Sequence, residues 1–347
     1  MIFLVARISR LRMAAVVGRI CVCVALVGVA SAALMRSTLA SVAPSAAVSH
    51  YAPYVDMTLY GDPHLAAVQR QTGAPLLSLG FVIGTGSRCQ PSWGGITPLT
   101  SALIRREVAA VRAAHADVVV SFGGAQGPDL SQVCSSSRRL GDAYQSAIQI
   151  YNVHRVDFDL EGAALDNAAG SRREILAIGR IERWAHSHDR SLQVSLTVPV
   201  DPSGLGSNVL RVLSIARTER VRIDIVNIMA MDFGDSLAHP GRNSMGGYAI
   251  AAATATQRQV ARIFPGAGFS RIGVTVMIGI NDLADEVFGL SDVAQLLTFA
   301  RAHGLGRLAM WSVARDRACP HPMRSAQDEC SGVSQVPNAF SRLLATY

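Results

Sequence analysis

Eight short apolar, β-branched runs punctuate the chain, at 53–57, 76–83, 118–122, 156–161, 192–198, 225–231, 272–278 and 308–313. Segments with helical periodicity separate most of them, for example 101–115, 140–151, 171–187, 209–219, 246–264 and 291–303. Runs that are almost continuously apolar suit strands buried on both faces, and such strands are parallel and joined by crossover helices. An α/β fold follows, and about eight repeats between residues 51 and 347 suit a closed (β/α)8 TIM barrel better than an open doubly wound sheet. The open sheet is the structural alternative. Its nucleotide-binding form is disfavoured, because no Gly-x-Gly-x-x-Gly or Walker-type loop follows the early strands.

Half of the 347 residues are hydrophobic, too many for a disordered chain. The formal net charge is +7, but Arg7, Arg10, Arg12 and Arg19 lie in an N-terminal stretch without acids, and removing these four leaves +3. That balance gives no reason to expect a nucleic-acid partner. The same arginines precede an apolar run from Ile20 to about Leu34, with small residues at Ala30-Ser31-Ala32 that suit signal peptidase. Residues 1–33 are therefore expected to be a secretory signal peptide, or an N-terminal anchor if uncleaved, residues 34–50 a linker, and 51–347 the barrel. A secreted protein is expected, with membrane attachment only through an uncleaved leader.

Cys89, Cys134, Cys319 and Cys330 follow the leader, an even set in an exported chain. Two disulfides are expected, Cys319 to Cys330 closing a short Pro-rich loop and Cys89 to Cys134 joining two early loops, although three pairings are formally possible. Zinc is the competing use of four cysteines, and the absence of a Cys-x-x-Cys pair argues against it.

In Val156-Asp157-Phe158-Asp159-Leu160-Glu161, three acids alternate with three apolar residues. A strand turns successive side chains to opposite faces, so Asp157, Asp159 and Glu161 line one side, with neighbours about 6–7 Å apart. Shielded from water, such acids cannot ionise independently and must share protons. A shared-proton set that ends in a glutamic acid suits glycoside hydrolysis, which needs a neutral carboxyl to protonate the leaving oxygen. The bland alternative is a half-buried strand with a solvated acidic face.

In a barrel the strand ends carry the chemistry. Ser121-Phe122-Gly123-Gly124 closes the third strand, where paired glycines make either a turn or a close approach to ligand. Asp232 follows Met229-Ala230-Met231 and could equally be a helix cap. Asn281 and Asp282 follow Met277-Ile278-Gly279, ambiguous between loop chemistry and function. Trp311 ends the last strand, as core filler or as a floor on which a sugar stacks. Trp184 lies in a helical segment, where packing is the expected role.

These residues, in this order, resemble glycoside hydrolase family 18, the chitinases and their relatives. The resemblance spans most of 51–335 and includes the start Tyr51-Ala52-Pro53-Tyr54-Val55-Asp56 and the stretch 89–95, Cys-Gln-Pro-Ser-Trp-Gly-Gly. It implies hydrolysis of β-1,4-linked N-acetylglucosamine polymers without metal or other cofactor. Glu161 would be the general acid, Asp159 the group that orients the substrate's acetamido group, and Asp157 its proton-sharing neighbour. It further implies a substrate-binding set of Tyr54, Ser121, Gly123, Gly124, Met229, Met231, Asp232, Phe233, Met277, Asn281 and Trp311, in a monomer. The acetamido oxygen would supply the nucleophile, one of the exceptions to the two-carboxylate scheme, and anomeric configuration would be retained.

Two positions depart from the family pattern. His154 stands at the first acid of the family's Asp-x-x-Asp-x-Asp-x-Glu pattern on the fourth strand, and a buried, hydrogen-bonded histidine without a catalytic role is expected there. Met231, in the family's Met-x-Tyr-Asp type segment after the sixth strand, stands where many members place a tyrosine whose hydroxyl holds the acetamido oxygen, and Phe233 nearby has no hydroxyl. These departures motivate the alternative, a chitin-binding lectin that keeps the barrel without turnover, although lectin-like members commonly lose the glutamate that is present here. A Mg2+ or Ca2+ site on the acids is disfavoured, since acids at i, i+2 and i+4 of one strand run in a line and do not converge. With few tryptophans, a short and non-processive cleft is expected.

Overall fold

The computed structural model describes residues 50–59, 61–234, 245–283 and 285–347. The leader and the linker up to residue 49 lie outside the described residues. Eight parallel strands form the barrel: β1 (Tyr54–Asp56), β2 (Leu76–Thr85), β3 (Asp117–Gly123), β4 (Arg155–Asp159), β5 (Gln193–Pro199), β6 (Ile225–Met229), β7 (Ile272–Met277) and β8 (Arg307–Trp311). The chain before β1 closes the ring on β8, with Ala52 N donating to Leu308 O at 2.9 Å and Leu308 N to His50 O at 2.7 Å. The ring of eight strands is thus closed, its last junction made by residues 50–52 against β8.

Alternation within the strands sorts the side chains. Val118, Val120 and Phe122 of β3 and Val156 and Phe158 of β4 are buried against the helices. Phe122 stacks on Phe158 at 5.3 Å, and Tyr144 packs on both. Each such side chain, fully buried, contributes about 1.5–3 kcal/mol. The inward set is polar instead: Ser121, Asp157, Ser195, Thr197, Asn227, Thr275 and Arg307 are all buried. Buried polar groups are tolerated where they satisfy one another, and this set forms a hydrogen-bonded interior below the site.

Among the described residues the longer outer helices are α1 (Leu65–Thr72), α2 (Ala102–Ala113), α3 (Ser137–Tyr151), α4 (Ala168–Ser187), α5 (Ser207–Thr218), α6 (Met245–Ile263), α7 (Leu290–His303) and α8 (Ala339–Leu344). α3 and α4 begin three residues earlier than periodicity predicts, because caps outside the apolar pattern start them. Ser136 Oγ accepts from Arg139 N at 3.3 Å, and Asn167 Oδ1 accepts from Gly170 N at 3.0 Å. α1 and α8 are additions to the helices read from sequence, as are two hairpins, Arg88–Trp93 with Thr97–Pro98 and Gly279–Ile280 with Val287–Phe288. The disulfides are Cys89–Cys134 and Cys319–Cys330, as expected. The first ties the earlier hairpin to the end of the short helix Leu130–Val133.

Candidate active site

Asp157 sits at the bottom of the site, fully buried, and each of its oxygens accepts from two hydroxyls. Tyr54 Oη and Ser121 Oγ donate to Oδ2 at 2.8 and 2.7 Å, while Ser195 Oγ and Thr197 Oγ1 donate to Oδ1 at 2.5 and 2.8 Å. The donors come from β1, β3 and β5, so closure of the barrel builds this cage. Beneath it, Arg307 is buried and donates to Ser195 Oγ at 2.8 Å and to Gln193 Oε1 at 3.3 Å. A guanidinium is thus placed one hydroxyl away from the carboxylate, where a buried charge needs compensation.

Asp159, two residues on, is buried, and its Oδ1 has no hydrogen-bond partner among the described residues. Burial first, then the charges of Glu161, Asp157 and Asp129, pushes its carboxyl well above the usual carboxylate range. β4 ends at Asp159, earlier than the run 156–161 suggests, and Glu161 precedes the short helix Gly162–Asp166. Its backbone remains extended, at φ −143° and ψ 170°, so the alternation persists and Glu161 reaches the same cavity as Asp159. Burial, and next the charge of Asp232, raises the Glu161 carboxyl to about 7. Asp232 is itself raised, chiefly by burial, and its Oδ1 accepts from Leu283 N at 3.0 Å.

A cavity of about 1020 Å³ opens over this row. Of the residues expected at the site, Tyr54, Asp159, Glu161, Met229, Met231, Asp232, Met277 and Trp311 line it. Trp311 forms its floor with Phe81, ring centroids 5.8 Å apart and stacked within 19°, and Tyr54 adjoins both rings. Ser121 lies below, in the Asp157 cage. Gly123 and Gly124 support the wall: a Cβ on Gly123 would collide with the Asp159 carbonyl oxygen, which accepts from Gly124 N at 3.0 Å.

Phe233 and Asn281 do not line the cavity. Phe233 is buried against Tyr248 and donates its backbone N–H to Glu286 Oε2 at 3.0 Å. Asn281 is buried and clamps its own loop, donating to Met277 O at 2.9 Å and Gly279 O at 3.1 Å. His154 is exposed, contrary to expectation. It lies outside the strand, before β4 begins, and its Nδ1 is 3.1 Å from Ser191 O. Trp93 is buried and donates to Tyr151 Oη at 2.8 Å, while Trp184 packs on His188 beneath Arg190.

Sequence reasoning misses Phe81, Ser195, Thr197, Asn227, Thr275, Arg307 and Arg315. A polar residue in an apolar run was the available signal for Ser195, Thr197, Asn227 and Thr275. Arg315 gave none; it is buried and donates to Ile278 O and Ile280 O at 3.0 and 2.5 Å, fixing the loop beside Asp282.

No family model matches the chain. A probable bifunctional chitinase/lysozyme of Escherichia coli is 32% identical over 275 residues, covering 77% of this chain and 31% of that protein. Endochitinase 11 of Metarhizium anisopliae is 30% identical over 276 residues, covering 77% and 52%. The chain therefore spans less than two thirds of the length of either curated relative. Among solved structures, active domain 2 of a thermostable chitinase from Pyrococcus furiosus is 30% identical with a TM-score of 0.75, covering 86% of this chain and 94% of that one. A GH18 chitinase from Pseudoalteromonas aurantia shares the fold, with a TM-score of 0.57 at 13% identity over 78% of this chain and 96% of that one. The chain belongs to glycoside hydrolase family 18.

Proposed function

We propose that the protein is an endo-acting hydrolase of β-1,4-linked N-acetylglucosamine polymers, with Glu161 as general acid and the substrate's own acetamido oxygen as nucleophile. The observation that carries this reading is the pairing of Glu161, raised to about 7 at the cavity wall, with Asp159, buried below it with an unpartnered oxygen. A carboxyl that titrates near neutrality holds a proton at working pH and parts with it readily. The chitinase relatives support the substrate class, and the Pyrococcus furiosus domain is described with chito-oligosaccharides bound.

In the first step the Glu161 proton passes to the glycosidic oxygen as the bond from that oxygen to the anomeric carbon breaks. The acetamido carbonyl oxygen forms a bond to the same carbon from the opposite face, and its nitrogen takes on positive charge. Asp159 Oδ1 is free to accept from the acetamido N–H, an interaction that strengthens as that charge develops. Glu161, now ionised, takes a proton from water as water opens the oxazolinium ring, and the anomeric configuration is retained. Asp157 stays fixed by its four hydroxyls, and its charge helps to raise the Asp159 carboxyl.

The aromatic lining of the cavity is limited to Tyr54, Phe81 and Trp311 among the described residues, which supports a short, non-processive cleft. The two disulfides support an oxidising compartment outside the cytoplasmic membrane. The test is hydrolysis of chitin oligosaccharides by wild type and Glu161→Gln. A loss of about a hundredfold or more is expected on removal of a general acid, and equal cleavage by both proteins overturns the assignment.

A further inference from the structure

The reaction proposed above needs a donor for the acetamido carbonyl oxygen. One lone pair must face the anomeric carbon, and a hydrogen bond to the other fixes that orientation. Met231 and Phe233 supply no hydroxyl. Most hydroxyl donors around the cavity are already engaged: Tyr54 and Thr197 give their hydrogens to Asp157 and Thr58 donates to Asp56 Oδ1 at 2.6 Å, while Asn208 commits one of its two amide hydrogens to Asp166 Oδ1 at 3.0 Å. Gln126 is exposed at the rim. The Trp311 indole N–H lies in the ring plane, whereas a sugar stacked on that floor meets the ring face.

Thr275 is different. It lies on β7 beside Met229 of β6 and Ala309 of β8, is 2% exposed, and lines the cavity. Its Oγ1 accepts from Asn227 Nδ2 at 2.7 Å, and its hydrogen goes to no acceptor among the described residues. Asn227 gives its other amide hydrogen to Thr197 Oγ1 at 2.9 Å, and Thr197 pairs in register with Asp159. One buried amide therefore sets the Thr275 hydroxyl relative to the strand that carries the acids, with one of its lone pairs occupied and its hydrogen left for the cavity.

We infer that Thr275 Oγ1 donates to the acetamido carbonyl oxygen of the sugar undergoing cleavage, with Asn227 as the residue that positions it. The inference deepens the hydrolase reading and rests on it. It makes the N-acetyl group, and not the sugar ring alone, the feature this wall recognises.

The test is made in the Glu161→Gln background, so that bound oligosaccharide survives, by measuring Kd for chitotetraose and for its fully deacetylated counterpart. Thr275→Val keeps the shape and removes the hydroxyl; Thr275→Ser keeps the hydroxyl. The expected result is about tenfold weaker binding of chitotetraose by Thr275→Val, the scale of one buried hydrogen bond, with the deacetylated ligand unchanged and Thr275→Ser within about threefold of the parent. In the otherwise wild-type enzyme, Thr275→Val should lower kcat more than it raises KM. Equal effects on both ligands, or none on either, overturn the role of Thr275 while leaving the hydrolase reading intact. Failure of the wild-type protein to cleave chitotetraose sinks that reading, and the present inference with it.

Discussion

Tyr54 Oη donates to Asp157 Oδ2 at 2.8 Å, joining the first barrel strand to the fourth across 103 residues of sequence. The contact exists only when the barrel is closed, so it reports folding and site assembly together. Tyr54→Phe removes one of the donors to a buried carboxylate and leaves the ring packing in place. A destabilisation of about 1.5–3 kcal/mol is expected, the scale of a hydrogen bond to a charged group. Denaturant unfolding checks it, and an unchanged midpoint would show that the cage is redundant.

Arg307 is the buried cation nearest this cage, and its fork holds both Ser195 and Gln193. Arg307→Met should destabilise the protein by about 3 kcal/mol or more, because Asp157 keeps its burial and loses the compensating charge. Arg307→Lys should recover only part of that loss, since an ammonium cannot span both partners in the guanidinium plane. Full recovery by lysine, read by thermal unfolding, would show that charge alone matters.

The raised carboxyl of Glu161 has a signed consequence for stability. Its folded value of about 7 lies above the ordinary value of 4.5, so the native state holds this proton more tightly than the unfolded chain does. The stabilisation is fully present below pH 4.5 and is lost as pH rises through 7. Glu161→Gln cannot ionise, so its Tm should match wild type at low pH and exceed it above pH 7. The wild-type rate should fall over the same upper window as the acid loses its proton. A Tm difference that stays constant from pH 4 to 9 would refute this assignment of the titrating group.

The disulfides close loops of different length, with sequence separations of 45 for Cys89–Cys134 and 11 for Cys319–Cys330. Chain entropy alone assigns about 4 kcal/mol to the first and about 3 kcal/mol to the second. Cys89→Ser with Cys134→Ser should therefore lower Tm more than the Cys319→Ser, Cys330→Ser pair. The shorter loop also contains Asp328 at the cavity wall, so its removal should affect activity more than its smaller stability cost implies.

The eight strands are legible in sequence because their outward residues are apolar in every one, and a parallel barrel buries that face under helices. The acid row is legible because a strand has a period of two, which holds through Glu161 even though the strand itself ends at Asp159. The partners of those acids are harder to read. Arg307 and Asp157 are 150 positions apart in sequence, and only closure of the ring sets one beneath the other. Phe81 reads as one more apolar residue of its run, yet it turns to the cavity and joins Trp311 in the floor. His154 is misread because its burial depends on where β4 begins, and element ends are the least periodic part of the pattern.

The proposed chemistry is tested most directly by following the anomeric protons during the first turnovers of wild-type enzyme on chitotetraose by 1H NMR. Attack by the acetamido oxygen followed by water requires two displacements at one carbon, so the new reducing ends should appear first as the β-anomer and mutarotate only afterwards. Initial appearance of the α-anomer would mean a single displacement by water, and would contradict the account built on Glu161 and Asp159.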